Sequence, residues 1–350
     1  MEKIFTRMGD GSVAYQTSEE MMQDIVAGCS AAAKKAKVPE LTREEKEHIL
    51  EIFTRKDRIV GVEPGREIVM TSDVGDDTAI CMVGTSFSRP ESVMIMEKII
   101  GMDSCDIGCQ EYSYKNIKNI IELSETPEAR NALNQSIFPI FYGSMPNLGL
   151  YTQPDGMFPN WNELLPAGKV DEARKSQEEA AEVCANDIYN VAKRMYEVGV
   201  DAINLDTTGA AGDGDFLAGL KATERITRDM PGFPVEMGMS SEFVLGTHAG
   251  LKYNGKRLAG MWPHQQVQLA EEAGVSIFGP VVNINTSHSS VWNISFVCTV
   301  LKECSKVSKI PLHANAGMGV CGMPMSSTVG ADIVSRVDKC LVEICNMDGL

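Results

Sequence analysis

Four times in this 350-residue chain a helix-like stretch ends in the same three-residue junction: Gly101-Met102-Asp103, Gly199-Val200-Asp201, Gly274-Val275-Ser276 and Asn346-Met347-Asp348. Gly and Asn tolerate the left-handed backbone that stops a helix, the apolar residue packs back on the helix, and a strand opens next. This restricts the chain to folds in which helices alternate with strands. Candidate strands cover residues 67–71, 104–108, 137–142, 201–206, 234–238, 276–281 and 310–313. Starts at 104 and 137, at 201 and 234, and at 276 and 310 lie 33 or 34 residues apart. Alternation at that interval predicts parallel strands joined by helical crossovers. Seven strands, with an eighth opening at Asp348, predict a (β/α)8 TIM-type barrel, for which about 250 residues suffice. A doubly wound open sheet is the alternative.

Residues 1–60 read as an extension ahead of that barrel. A hairpin over 4–8 and 12–16 turns at Gly9-Asp10-Gly11, and two helices follow, each opening with a capping box: Thr17 with Glu20, and Thr42 with Glu45. The barrel then occupies 61–350 and stops at the start of its eighth strand. Its clearest helix, over 170–198, carries Cys184, Ile188, Val191, Met195 and Val198 on one apolar stripe.

Charge and cysteine usage exclude several classes. Lys+Arg 32 against Asp+Glu 48 leaves a net charge of -16, which repels polyanions, so nucleic acid is not an expected partner. No apolar run approaches the roughly 18 residues of a membrane span, and the first residues carry no signal-type stretch, so a cytoplasmic location is expected. The 10 cysteines include no CxxC, and the 5 histidines are dispersed. Cys105 and Cys109 could form one ligand-like pair, but the dispersed histidines supply no second, so no protein-bound metal is expected. Twenty methionines and ten thiols suit a reducing, anaerobic cytosol.

In either architecture function collects where the strands end. The stretch 143–167 has no helical pattern and reads as a lid or binding segment. The stretch from Asn204 through Asp206-Thr207-Thr208-Gly209 to Asp213 and Asp215 is Gly-rich, but it has no P-loop lysine and no GxGxxG order. Its aspartates repel phosphate and suit a cationic or neutral ligand, or else Asp213 or Asp215 caps the next helix. Glu236, inside the apolar strand Val235-Glu236-Met237-Gly238, is a candidate acid/base if it faces the barrel mouth and a structural ion-pair member if it faces the helices. Asn283 and Asn285 share a face if extended, and either orient a ligand or build turns. His313 and Asn315 follow the seventh strand, His313 as a catalytic or a core imidazole. No Gx-Ser-xG elbow is present. Asp206, Glu236, Asn283 and His313 are expected to gather at one end of the barrel.

The same loops carry a family resemblance. Arg7-Met8-Gly9-Asp10-Gly11, Met145-Pro146-Asn147-Leu148-Gly149-Leu150-Tyr151, Asp206-Thr207-Thr208 with Ala210-Ala211-Gly212-Asp213, Leu258-Ala259-Gly260-Met261-Trp262-Pro263-His264, Phe278-Gly279-Pro280-Val281 and Gly317-Met318-Gly319-Val320 together resemble the dimethylamine:corrinoid methyltransferase family over essentially the whole chain. The resemblance implies a barrel, a role in methylamine-dependent methanogenesis or related anaerobic methyl metabolism, and transfer of a methyl group from dimethylamine to the Co(I) of a separate, cognate corrinoid protein. It also implies pyrrolysine, encoded by an in-frame amber codon, whose ring imine captures the amine. The resemblance puts that residue directly after Leu350, so the 350-residue chain is expected to be an amber-truncated and inactive form. No cofactor is expected to be held tightly by this chain itself, and a homo-oligomer is expected. Within this chemistry a carboxylate must attract the ammonium ion and take its proton, with Glu236 the first choice and Asp206 the second. His313 joins them as a catalytic candidate, and Asn283, Asn285 and Asn315 are the candidate substrate-binding amides. Two alternatives stay open: a pyrrolysine-independent barrel enzyme acting on another methylated amine, and a noncatalytic fragment that binds the corrinoid protein.

Overall fold

A computed structural model describes residues 2–72, 103–106, 117–120, 151–154, 156–210, 212–246, 250–317, 319–326 and 329–350. In chain order the elements are β1 (Ile4–Arg7), β2 (Val13–Gln16), α1 (Ser18–Ala36), α2 (Arg43–Thr54), β3 (Val69–Ser72), β4 (Asp103–Asp106), β5 (Ile117–Ile120), α3 (Trp161–Leu164) and α4 (Val170–Glu197). They continue as β6 (Ala202–Thr208), α5 (Asp213–Asp229), β7 (Val235–Met239), β8 (Lys252–Tyr253), β9 (Lys256–Arg257), α6 (Pro263–Ala273), β10 (Ile277–Gly279), α7 (Ser290–Val307) and α8 (Ala331–Glu343). The expected strand at 137–142, the junction at Gly101, Cys109 and the whole of 143–150 lie outside the described residues.

The chain divides into two compact units, one of residues 1–105 with 280–350 and one of residues 106–279. In the second unit β6, β7 and β10 form a parallel run in the order β10-β7-β6. The core lies between this sheet and its helices: α4 packs on α5, and the expected stripe Cys184, Ile188, Val191 and Met195 is buried. Val198, the last member of the stripe, is 40% exposed because it falls beyond the final turn. One strand departs from the alternating pattern. β5 adds to the free edge of β6 in the antiparallel sense, with Ile117 opposite Leu205. The described strands thus make a mixed α/β structure with a three-stranded parallel sheet and no closed barrel.

In the first unit the hairpin β1–β2 and the helices α1 and α2 lie where the sequence puts them, and both capping boxes are formed at Thr17 with Glu20 and Thr42 with Glu45. Gly9 at the hairpin turn has no room for a side chain, since a Cβ there would stand 2.4 Å from the carbonyl oxygen of Asn285. Arg7 forms a bidentate pair with Asp332. The expected strand at 310–313 is shortened to bridge positions at Leu312 and His313, and among the described residues His313 pairs in parallel with Gly349. Pro311 supplies no backbone donor, which weakens a ladder there, and the Leu312 N–H is taken by the Asp348 carboxylate at 2.9 Å.

The junctions behave as their chemistry requires. Gly199, Gly274 and Asn346 have φ of 86°, 96° and 53°, and Val200, Val275 and Met347 are buried behind them.

Candidate active site

The parallel register sorts the side chains of the second unit into two faces. Ile203 pairs with Val235, Asn204 with Glu236, and Leu205 with Met237, while Ile277 and Phe278 lie beside Glu236 and Met237. Because side chains alternate along a strand, Ile203, Leu205, Val235, Met237 and Phe278 share one face. All five are buried. This face meets α5, where a Cβ on Gly219 would lie 3.5 Å from the Met237 methyl carbon.

Asn204, Asp206, Glu236 and Gly238 share the opposite face. Glu236 therefore points away from α5, with 4% of its surface exposed. Gly238 carries no side chain, and the point where its Cβ would stand is 3.6 Å from Asn204 Oδ1 and 3.7 Å from Asp206 Oδ1. The result is a polar face with two carboxylates, one amide and a clearing between them. Carboxylates in such a setting attract an organic cation and can accept its proton.

A backbone irregularity ends β6. The register shifts between Leu205 and Thr208, which pairs with Met239, and Thr207 adopts φ 52°. A β-branched residue in the left-handed region is strained, by roughly 1–3 kcal/mol, and such strain concentrates at functional sites. The bulge turns Thr208 onto the helix face, where a Cβ on Gly219 would meet its methyl at 3.0 Å, and leaves Asp206 on the polar face at the end of the strand.

Beyond the bulge the Gly209 N–H donates to Asp215 Oδ2 at 3.1 Å, and the Asp213 N–H donates to the Leu245 carbonyl at 2.7 Å. Asp215 thus braces the loop. Gly212, the residue before α5, has φ 87°, and a Cβ on it would press to 2.7 Å from Leu245 O.

Asn283, Asn285, His313 and Asn315 belong to the first unit. Asn283 bridges Val320, and the flanking Ile284 N–H and Cys321 N–H donate to Gly319 O and Val282 O. The 283–284 and 319–321 segments are thereby held side by side. Asn285 builds a turn, its Oδ1 accepting from the Ser287 N–H at 3.0 Å and the Ser287 hydroxyl at 2.7 Å. The buried Asn293, not anticipated from sequence, organises this loop. Its Oδ1 accepts from the Asn285 N–H at 2.7 Å and its Nδ2 donates to the carbonyls of Asn285 and Ser289. His313 is half-buried at its bridge to Gly349, and Asn315 is exposed. The structure therefore brings Asp206 and Glu236 together on one sheet face, and places the other four in loops of the first unit.

Sequence reasoning missed Asn204 and Thr207. The signal for Asn204 was its place two residues before Asp206 in an otherwise apolar strand, which puts both on one face. Nothing in the sequence marks the left-handed backbone at Thr207.

Among the described residues, no group of three His, Cys, Asp or Glu side chains stands ready for a metal ion, and no helix is long and apolar enough to cross a membrane. An alternating helix and strand chain whose parallel sheet carries a carboxylate face is the framework of an α/β enzyme. The model of the dimethylamine methyltransferase (Dimeth_PyL) family matches residues 2–350. The chain belongs to that family of methyltransferases, which act on a small amine. No solved structure matches it.

Proposed function

We propose that this protein binds dimethylammonium at the polar face of β6 and β7 and prepares it for methyl transfer to the Co(I) of a cognate corrinoid protein, with monomethylamine released. The observation that carries the reading is that Glu236 and Asp206 share the sheet face turned away from α5. Dimethylamine is mostly a cation near neutral pH, whereas only its neutral form is a nucleophile. Glu236 takes the ammonium proton, and Asp206, at the strand end, holds the charge of the incoming ion. The N–H bond breaks, its electron pair stays on nitrogen, and the carboxylate becomes a carboxylic acid. A pyrrolysine imine, which the family resemblance implies, would supply an electrophile for the neutral amine. The donor set on this face fits that chemistry, since Asp206, Glu236 and Asn204 offer oxygen acceptors to an ammonium ion, although Lys118 of β5 stands opposite Asn204 in the register.

The barrel belongs to the same proposal, with residues 1–60 as an extension and 61–350 as the barrel, in the cytoplasm and as a homo-oligomer. It is supported by the parallel run β6, β7, β10, by the burial of its apolar face against α5, and by the parallel bridge of His313 to Gly349. His313, Asn283 and Asn315 remain candidate substrate contacts in this reading, whereas the carboxamide oxygen of Asn285 is engaged in its own turn.

The test is Glu236→Gln in the pyrrolysine-containing protein, assayed with its corrinoid partner. Turnover is expected to fall roughly 10²- to 10⁴-fold, the usual worth of a general base, while the thermal midpoint stays near that of the unsubstituted protein. Unchanged turnover rejects the assignment, and loss of folded protein makes Glu236 a structural residue.

A further inference from the structure

We infer that Asn204 is the second acceptor of the amine site and sets its preference for a secondary over a tertiary ammonium ion. The inference rests on the reading that the amine binds at the polar face of β6 and β7. Asn204 is 7% exposed in the middle of β6, directly opposite Glu236 in the register and two residues from Asp206. Its Oδ1 is buried and accepts no hydrogen bond from the described residues. That oxygen borders the clearing over Gly238, at 3.6 Å from the Cβ position, with Asp206 Oδ1 at 3.7 Å from the same point. Buried carbonyl oxygens are almost always paired, and one left without a donor beside two carboxylates calls for a donor brought by a ligand.

The donor count of the methylammonium ions then decides the preference. Dimethylammonium has two N–H bonds and trimethylammonium has one. An amide oxygen is too weak a base to take a proton, so Asn204 holds one N–H while a carboxylate removes the other. The neutral amine stays bound through the remaining N–H, with its freed electron pair pointing away from Asn204. A tertiary ammonium satisfies the carboxylate alone, leaves Oδ1 unpaired and pushes a methyl group toward Gly238. Sites built to bond a substrate N–H reject analogues lacking it, and for a single neutral acceptor about 10- to 100-fold is expected.

The experiment titrates the protein and its Asn204→Leu, Asn204→Asp and Glu236→Gln variants with dimethylammonium chloride and trimethylammonium chloride, by calorimetry or NMR, alongside thermal melts. The unsubstituted protein should prefer dimethylammonium by about 10- to 100-fold, N204D should keep the preference, and N204L should bring it within about threefold. N204L should melt no lower than the unsubstituted protein, because it removes a buried oxygen that has no partner. An unchanged preference in N204L overturns the inference while leaving the amine site standing, provided E236Q weakens binding. A lower melting point or unfolding of N204L assigns the amide a structural job and also overturns it. Binding that ignores E236Q, or no binding of either ion, overturns the reading of the site and this inference with it.

Discussion

Asp338 lies in α8 with 2% of its surface exposed, and its Oδ1 accepts no hydrogen bond from the described residues. Burial alone pushes its carboxyl up to about 8. The neighbouring ammonium of Lys339 gives no relief, being committed to the Gly61 carbonyl, Glu63 and Glu343. In an unfolded chain the same carboxyl titrates near 3.9. Between the two values the folded state holds a proton that the unfolded state has lost. The stability this group supplies is therefore complete below about pH 4 and is lost as the pH rises toward 8, at up to about 1.4 kcal/mol per unit. Asp338→Asn, which cannot ionise, should flatten that slope and raise stability at pH 8. Urea midpoints of both proteins at pH 5 and pH 8 check it, and equal shifts at the two pH values would refute it. Sequence reading reaches such residues unevenly. Glu236 is legible because a charge in an apolar strand is conspicuous. Asn204 is less so, because an amide carries no charge, and the importance of Asp338 is hidden in a helix whose other acidic residues lie at its ends.

The crossing of α1 on α7 shows how one position governs an element. Along α1 the buried residues Met21, Ile25, Gly28, Cys29, Ala32 and Ala36 form the face turned inward. A Cβ on Gly28 would stand 2.4 Å from the Trp292 carbonyl oxygen of α7. In an ordinary helix Gly→Ala gains about 1 kcal/mol. Here the obstacle is backbone, which cannot rotate aside, so Gly28→Ala should reverse that sign and destabilise by about 1–3 kcal/mol. A urea midpoint that rises would show that the helices separate freely. Loss of the N-cap hydroxyl in Thr17→Ala, at the other end of the same face, should cost about 1 kcal/mol and leave the crossing intact, which amide exchange along α1 resolves. The elements with local signals are the ones the sequence predicts: both capping boxes, the hairpin at Gly9, and the left-handed stops at Gly199, Gly274 and Asn346. The β8–β9 hairpin, which the sequence reading passed over, turns on Asn254-Gly255, both at positive φ, a short-range signal of the same kind. β5 has none, since Ile117-Lys118-Asn119-Ile120 contains two polar residues and becomes a strand only by pairing with β6. The 310–313 strand is shortened rather than absent, because Pro311 carries no donor and only Leu312 and His313 reach bridge positions.

At the scale of the whole molecule, the first unit is assembled from both ends of the sequence, and its closure depends on two cations of α8. Arg336 donates Nη2 to the carbonyls of Arg55 and Asp57, and Nη1 to those of Arg58 and Asp332. One turn on, Lys339 is 1% exposed and its Nζ reaches Gly61 O at 2.8 Å, Glu63 Oε1 at 2.9 Å and Glu343 Oε1 at 2.9 Å. Glu343 in turn meets His48 Nε2 of α2 at 2.8 Å. The segment after α2 is thereby fixed to a helix about 280 positions later in the chain. Burial works against the Lys339 ammonium, but the bonds from Glu343 and Glu63 outweigh it and hold its pKa above the ordinary lysine value. Removing the cation alone leaves the Glu343 carboxylate, whose side chain is 2% exposed, with only His48 Nε2 and the Glu63 N–H among the described residues to offset its buried charge. Lys339→Met should therefore destabilise by about 3–5 kcal/mol. Replacing both partners removes the stranded charge as well as the bond, so Lys339→Met with Glu343→Leu should recover most of that loss, and Glu343→Leu alone should fall between. A double-mutant cycle by urea denaturation measures the coupling. If the single and double variants lose the same stability, the pair is incidental, and the backbone carbonyls gripped by Arg336 are what join the two ends of the chain.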